Sequence, residues 1–278
     1  MPEQELIPSF QFLEDEKFDP NLVEKQELLP GDTCFVLYNL FTLKECEQLI
    51  EEGERYGFLS LGDTYSASYR NNERIINYNE RLKEVMWQRI TKYLDNTIEI
   101  LKTHETLHTN YYTSGIWEKD GLNNNFRLCK YQPNMFFKSH YDEGYHPDRK
   151  AFRTMKTCML YLNDNFSGGE TVFYFSGGHE YSLKPAPGMC LVFNQKIMHE
   201  GKTVINGLKY FTRTDILYKK IESHDIHELT PIQNEALKIY EEGVQLENDH
   251  QSEEAIKRFK KATKLYGEIY ELYNELYN

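Results

Sequence analysis

The sequence lacks the features that would place the chain in or across a membrane. None of its 278 residues belong to a run of about 18 apolar residues, which excludes a membrane-spanning helix. The N-terminal segment MPEQELIPSFQFLEDEK carries acidic residues where a secretory signal needs a basic and then an apolar stretch. We therefore expect no export signal and no membrane partner.

Basic residues are scarce relative to acidic ones. The chain has 32 Lys and Arg against 44 Asp and Glu, which gives a net charge of -12. A protein of this charge repels phosphates, so it is poorly suited to bind nucleic-acid backbones or anionic lipids. We expect no nucleic-acid partner.

Cysteines are few and scattered. The five of them form no C-x-x-C motif, which excludes a zinc ribbon, and their odd number and spacing do not suggest a disulfide framework. Such a pattern suits the reducing cytosol, and we predict a cytoplasmic protein.

Composition divides the chain into four segments. Residues 1–30 form an acidic lead-in punctuated by Pro, and residues 31–220 form the main body. Residues 221–230 are polar and end in a turn signal, which predicts a linker. Residues 231–278 are rich in Glu, Lys, Leu and Tyr, with no Pro after Pro231, and are predicted to form a separate helical hairpin.

Helix signals occur near the start of the body and in the tail. Thr42 can cap a helix that Gly57 ends, and a second helix is predicted from Glu80 to Leu101. In the tail, Pro231 suits a first helical residue and Ser252 can cap a second helix, which together predict the hairpin.

Between the two helical regions the pattern changes to short runs of β-branched and aromatic residues. Gly-Gly pairs and other turn signals separate these runs, which predicts an all-β sandwich or barrel with helices packed outside it. The predicted strands are Phe126–Tyr131, Thr157–Leu162, Thr171–Phe175, Met189–Phe193 and Lys209–Tyr218.

The segment KSHYDEGYH contains an H-x-D motif. On a strand, His140 and Asp142 project to the same side and can supply two neighbouring metal ligands. His199, after the strand MCLVFN, is the candidate for the third ligand. Two His and one carboxylate form the facial triad that leaves open positions on iron(II). The alternative is a polar strand face that carries His140 and Asp142 into solvent.

A second signal is a cation that follows the candidate ligand His199. In GLKYFTRTDILY, alternate residues share one strand face, and they include Lys209 and Arg213. A cation inside a barrel is costly unless an anion meets it, and a dicarboxylate bound to the metal would supply that anion. Tyr161 could donate its hydroxyl to the same carboxylate. Alternatively, Tyr161 is an ordinary core tyrosine, and Lys209 is an edge residue whose ammonium extends to solvent.

Several segments in order resemble the iron(II)/2-oxoglutarate dioxygenases, in their prolyl 4-hydroxylase-like branch. They are FVLYNLFTLKECEQLIEEGERYGF, GLNNNFRLCKYQPNMFFKSHYDEGY, TCMLYLNDNFSGGETVFY and KPAPGMCLVFNQKIMHEGKTVINGLKY. The resemblance covers roughly residues 32 to 220 and implies a mainly β fold. Its core would be a double-stranded β-helix, or jelly roll, with flanking helices.

The resemblance also implies roles for individual residues. It assigns iron to His140, Asp142 and His199, and the distal carboxylate of 2-oxoglutarate to Lys209. Tyr161 falls where the family has a tyrosine that contacts the same cosubstrate, and Tyr131 where a pocket tyrosine stands. Arg213 is the alternative to Lys209 for binding this carboxylate, because both residues lie on the same strand face.

One position departs from the family pattern. Hydroxylases of peptidyl proline usually have an aromatic residue six positions after the cosubstrate cation, and Asp215 stands there in this chain. This departure puts proline in doubt as the hydroxylated residue.

The implied activity is hydroxylation of a substrate carbon by O2 and 2-oxoglutarate, with release of succinate and CO2. Ascorbate is expected to keep the iron reduced. We expect a protein or peptide substrate, recruited by the tail hairpin, in which Gly243, Ala255, Phe259 and Ala262 resemble part of a tetratricopeptide repeat. The alternatives are the same chemistry on a small metabolite and a catalytically inactive jelly-roll binding protein.

Overall fold

The structure is a computed structural model that describes residues 10–29, 33–62, 64–100, 114–145, 151–175, 178–222, 230–248, 251–270 and 272–273. Most of the predicted linker 221–230 lies outside the described residues. The chain forms two compact units. The first comprises Met1–Asn96, Lys119–Pro147 and Arg153–Tyr218, and the second comprises Thr97–Glu118, Asp148–Phe152 and Lys219–Asn278. The four segment boundaries expected from composition stay predictions.

The described residues form strands and four α-helices, which confirms a mainly β chain. The strands are β1 (Glu24–Leu29), β2 (Cys34–Tyr38), β3 (Leu59–Ser60), β4 (Glu73–Tyr78), β5 (Thr97–Ile100), β6 (Gly115–Leu122), β7 (Asn125–Tyr131), β8 (Phe137–His140), β9 (Phe152–Tyr161), β10 (Phe166–Gly168), β11 (Thr171–Tyr174), β12 (Glu180–Leu183), β13 (Cys190–Asn194), β14 (Met198–Gly201), β15 (Val204–Gly207) and β16 (Lys209–Glu222). The helices are α1 (Leu43–Tyr56), α2 (Glu80–Ile90), α3 (Pro231–Asn248) and α4 (Ser252–Leu265).

The core of the first unit is a jelly roll of two sheets. The larger sheet has the order β13-β9-β16-β7 at its centre and continues into β2 and β1 on one side and β4 and β3 on the other. The smaller sheet has the order β12-β11-β14-β8. The chain passes repeatedly between the two sheets, and this crossing pattern defines the predicted double-stranded β-helix.

Aromatic side chains from both sheets meet in the space between them. Phe173 of β11 packs edge to face on Phe193 of β13, with ring centroids 5.1 Å apart. The hydroxyl of Tyr161 on β9 hydrogen-bonds that of Thr171 on β11 at 2.6 Å. All four residues are almost fully buried. The sheets are thus joined by one apolar core, and the candidate site lies at its edge.

Helix α1 begins and ends where the sequence predicts. Thr42 and Glu45 form a capping box, in which each side chain accepts from the backbone N–H of the other. Gly57 ends the helix with a φ of 84°, which favours glycine. Glu45 also forms a buried ion pair with Arg89 of α2, at 2.8 Å, which joins the two helices.

The second predicted helix is too long. Helix α2 ends at Ile90, Leu94 is extended, and Thr97–Ile100 forms β5 instead of a continuing helix. The apolar spacing fits both structures, but β5 has a pairing partner in β6, with Ile98 opposite Trp117. Cross-strand pairing therefore overrides the helical pattern at the β-branched residues Thr97, Ile98 and Ile100.

The first helix of the tail hairpin begins where the sequence predicts. Helix α3 begins at Pro231, whereas Ser252 is the first residue of α4 and not its cap. The cap position is Gln251, which makes no capping hydrogen bond. Helix α4 ends at Leu265, where the following residue, Tyr266, is extended.

The two tail helices pack closely where the small residues lie. A Cβ added at Gly243 would lie 2.7 Å from the ring of Phe259, and Ala255 and Ala262 are buried. Within the described residues, no helix is long and apolar enough to cross a membrane.

Candidate active site

Two neighbouring strands of the smaller sheet position the candidate histidines. His140 ends β8 and lies directly opposite His199 of β14 in the antiparallel pair. Asp142 lies just beyond β8, so it is not on the strand as predicted. Its backbone N–H donates to the carbonyl of Gln195 at 3.0 Å, and this hydrogen bond holds the segment so that the Asp142 side chain lies beside the two histidines.

The three candidate ligands converge on one point. Nε2 of His140 lies 3.7 Å from Oδ1 of Asp142, and Nε2 of His199 lies 3.8 Å from Oδ2. One ligand atom from each residue lies within 4.8 Å of the others, as a shared metal ion requires. The three side chains are only 2–9% exposed, which contradicts the alternative of a polar strand face in solvent.

Hydrogen bonds and burial set the histidines in the form that binds metal. Nδ1 of His140 lies 2.7 Å from the carbonyl of Lys138, and Nδ1 of His199 lies 3.0 Å from that of Ile197. Because a carbonyl only accepts, each Nδ1 carries the proton and each Nε2 keeps a free lone pair. Burial, with His199 alongside, lowers the pKa of His140 to about 4. Burial also lowers the pKa of His199, so both rings are neutral at pH 7.

Asp142 is held as a carboxylate. Burial alone would raise its pKa, but the guanidinium of Arg213, the two histidines and the Thr157 hydroxyl together outweigh this effect and keep the pKa below its ordinary value. Nη1 of Arg213 lies 2.7 Å from Oδ1, and the hydroxyl of Thr157 donates to Oδ2 at 2.6 Å. Two neutral imidazoles and one carboxylate form the donor set that suits iron(II).

Lys209 places a buried cation in the same cavity. It begins β16 opposite Tyr131 of β7, and its Nζ donates to the carbonyl of Gly169 at 2.6 Å. The rings of Tyr131, Tyr161 and Phe211 surround the ammonium at 5.3–5.5 Å. Burial lowers its pKa to about 8. Among the described residues no carboxylate lies within 4.0 Å of Nζ, so an anionic ligand would complete the charge balance.

Arg213 is already paired. Besides Asp142, it lies 3.1 Å from Oδ1 of Asp215, which is fully buried. Asp215 also pairs with Arg127 at 2.9 Å and accepts from the side chain of Gln195 at 3.1 Å. These contacts make Arg213 a support for Asp142 and favour Lys209 as the cation that is free for a cosubstrate.

The two candidate tyrosines differ in their access to the cavity. The cavity measures about 570 Å³, and Tyr131 contributes to its lining. Tyr161 is fully buried, and its hydroxyl contacts Thr171, which lines the cavity. Tyr161 therefore reaches the cavity through Thr171.

Sequence reasoning missed several residues of this site. Thr157 and Gln195 support Asp142, and Arg70, Arg74 and Arg127 extend the cavity lining. A polar Thr157 inside an apolar strand was a usable signal, and so was Arg127 at an alternate position of β7. Arg70 and Arg74 gave no such signal because only the fold brings them to the cavity.

One family model matches the part of the chain that contains the candidate site. The model described as the 2OG-Fe(II) oxygenase superfamily matches residues 126–239, which contain His140, Asp142, His199 and Lys209. No curated protein shows significant similarity to the chain. The region of the chain that contains the candidate ligands is therefore similar to a 2OG-Fe(II) oxygenase domain.

Solved structures with a similar arrangement include three prolyl hydroxylases. A Pseudomonas putida prolyl-4-hydroxylase is 14% identical, with 66% of this chain and 91% of that chain covered and a TM-score of 0.46. The viral collagen prolyl hydroxylase from Paramecium bursaria Chlorella virus-1 is 20% identical, with 69% and 99% covered and a TM-score of 0.43. A Trichoplax adhaerens prolyl hydroxylase, in complex with a hypoxia inducible factor peptide fragment, is 16% identical, with 68% and 84% covered and a TM-score of 0.46.

Proposed function

We propose that the protein uses Fe(II), 2-oxoglutarate and O2 to hydroxylate a carbon of a protein or peptide substrate. The observation that carries the proposal is the buried His140, Asp142 and His199 cluster inside the matched oxygenase domain. The donor set fits iron(II), and the buried ammonium of Lys209 fits the distal carboxylate of 2-oxoglutarate. Bound iron and 2-oxoglutarate would supply the oxidising chemistry, with release of succinate and CO2.

The protein residues have separate tasks in this proposal. His140 and His199 offer Nε2 lone pairs, and Asp142 offers a carboxylate oxygen. Thr157 and Arg213 hold that carboxylate in place through hydrogen bonds at 2.6 and 2.7 Å. Such partners of a metal ligand fix its orientation and commonly affect metal affinity 10- to 100-fold, roughly.

At the cosubstrate end, Lys209 would pair with the carboxylate beside Tyr131, and Tyr161 would orient Thr171. The aromatic rings around the ammonium exclude water, which strengthens its attraction for an anion. The carboxylate of Asp215 pairs with both Arg127 and Arg213. An aromatic residue at this position could not accept these hydrogen bonds. We therefore leave proline out of the proposed substrate.

Three further parts of the proposal concern substrate recruitment, the cellular location and the reductant. A protein substrate recruited by the α3–α4 hairpin is supported by apolar side chains that the hairpin exposes, Ile232 at 55% and Ile256 at 51%. A cytoplasmic location is supported by five cysteines that are all buried free thiols. Ascorbate is proposed as the reductant that keeps the iron in its ferrous state.

The test is conversion of 2-oxoglutarate to succinate by the full chain with Fe(II). His199→Ala should abolish conversion and tight metal binding in calorimetry, because a ligand is lost. His179→Ala, at an exposed loop position, is the matched control and should behave as wild type. Full metal binding and turnover in His199→Ala would refute the proposal. If wild type converts 2-oxoglutarate and His199→Ala does not, mass spectrometry of cell proteins incubated with the wild-type enzyme should locate the residue that gains one oxygen atom.

A further inference from the structure

The cavity lining is cationic although the chain as a whole is acidic. Five cations line the cavity, Arg70, Arg74, Arg127, Lys209 and Arg213, against the carboxylates of Asp142 and Glu143. The net charge of the chain is -12, so this local excess is opposite in sign to the rest of the protein. Clefts lined by one sign of charge concentrate ligands of the other sign.

Metal and cosubstrate would not neutralise this excess. Arg213 and Arg127 share the buried carboxylate of Asp215, and Arg213 also pairs with Asp142. In the proposed function, Lys209 takes one carboxylate of 2-oxoglutarate and the metal takes the other. Arg70 and Arg74 remain, and within the described part of the chain no carboxylate lies within 4.0 Å of either guanidinium.

Arg70 is fixed beside the candidate metal ligands. It is only 7% exposed, and its Nε donates to Oδ1 of Asn72 at 2.6 Å. Its guanidinium lies 4.2 Å above the ring of Phe137, and that ring stacks on His140 with centroids 3.5 Å apart. Arg70 is therefore held one aromatic layer away from the candidate metal site, with its orientation set before any ligand binds.

Arg74 reaches the cavity from the neighbouring strand. It lies on β4 opposite Cys129 of β7, which in turn lies opposite Phe211 of β16. Residues that pair across neighbouring strands lie on the same sheet face, so Arg74 lies on the face that lines the cavity. Its strand, β4, lies outside the eight core strands of the jelly roll. Burial, together with the nearby charge of Arg70, lowers its pKa. A half-buried arginine that is near another cation, and that has no carboxylate of the described residues within 4.0 Å, favours an anionic ligand.

We propose that Arg70 and Arg74 bind a carboxylate of the substrate, supplied by an acidic residue of a peptide or by a small carboxylic acid. The inference rests on the proposed function, because it assigns the substrate of the same site. Arginine presents a planar donor fork that matches a carboxylate, so this pair would place the reacting carbon relative to the metal.

The experiment measures binding to the full chain with Mn²⁺ and saturating 2-oxoglutarate, which avoids turnover. Two fluorescent pools of short peptides are compared, identical except that one has Glu at a fixed position and the other has Gln. Acetyl-glutamate methylamide and its glutamine counterpart form the small-acid arm. The variants are Arg74→Gln and Arg70→Lys, and Arg55→Gln on the exposed face of α1 is the control.

The Glu pool should bind at least about tenfold more tightly than the Gln pool, since a charge-assisted hydrogen bond is lost. Arg74→Gln should remove most of this preference, and Arg70→Lys should retain part of it. A preference confined to the small acids would support the carboxylate site with a metabolite as its source. Equal binding of acid and amide forms in both arms would overturn the inference.

Calorimetry of 2-oxoglutarate with the wild-type protein separates the two proposals. If 2-oxoglutarate does not bind the metal-loaded wild type, the proposed function itself fails. If 2-oxoglutarate binds and the acidic probes show no preference, only the carboxylate site is wrong. Arg74 is half-buried, so Arg74→Gln is expected to fold even if changes at the more deeply buried Arg70 do not.

Discussion

Lys209→Met separates the function of this lysine from its cost to the fold. The substitution keeps most of the side-chain volume and removes the buried charge. In the proposed function it deletes a charge-assisted contact to 2-oxoglutarate, which is worth about 1.5–3 kcal/mol. We expect the 2-oxoglutarate dissociation constant to rise by about 10- to 150-fold.

The ligand-free protein should respond in the opposite direction. The pKa of Lys209 falls from 10.5 to about 8 on burial, which corresponds to a cost of about 3 kcal/mol for holding the charge at pH 7. Met relieves this cost but leaves the Gly169 carbonyl without its donor, a penalty of about 1–3 kcal/mol. The free energy of unfolding should therefore stay unchanged or rise by up to about 2 kcal/mol.

The pH dependence has a defined sign. Because the folded pKa lies below the unfolded value, the cost is fully present below pH 8 and disappears as the pH rises toward 10.5. The stability of wild type should thus rise relative to Lys209→Met across that range. Loss of the ammonium charge should also weaken 2-oxoglutarate binding to wild type above about pH 8, and the variant should lack this dependence.

The assays are calorimetry of 2-oxoglutarate with Mn²⁺-loaded protein and urea unfolding of the ligand-free protein. Lys130→Met is the control, because Lys130 is also on a strand of the larger sheet but is only partly buried and pairs with Glu54 at 2.8 Å. An unchanged dissociation constant in Lys209→Met would refute the assignment, and a loss confined to Arg213→Ala would transfer it to Arg213. A large loss of stability in Lys209→Met would show that the lysine is structural.

Three further predictions concern the support of Asp142, the packing of the two hairpin helices and the deletion of the whole hairpin. Thr157→Val removes the hydroxyl that donates to Asp142 and should weaken metal binding by about tenfold in calorimetry, whereas an unchanged affinity would mean that Arg213 alone suffices. Gly243→Val places a side chain against Phe259 and should destabilise the second unit by about 1–3 kcal/mol, measured by hydrogen exchange in α3; unchanged protection would contradict the close packing. Deleting residues 231–278 should leave uncoupled 2-oxoglutarate turnover largely intact and weaken action on a protein substrate, and a folded but inert truncation would show that the tail completes the active site.

Local sequence signals determined much of the architecture. The capping box of Thr42 and Glu45 depends only on neighbouring residues, so the start of α1 could be read directly. The alternation of apolar residues and the glycine turns were sufficient to predict the strands of the core. The H-x-D motif and His199 could be selected because ligand chemistry restricts the residue types that hold iron.

Only the tertiary structure decided the features that depend on distant partners. The segment after Ile90 has apolar spacing that fits a helix or a strand, and its pairing with β6 selected the strand. The preference for Lys209 over Arg213 in the proposed function likewise depends on which cation a carboxylate already meets. Asp142 and Asp215 lie beside Arg213, whereas Lys209 meets a carbonyl and three rings. Arg70 and Arg74 became visible as a pair only when the fold brought them to one cavity, because electrostatic energy depends on distance in space and not along the chain.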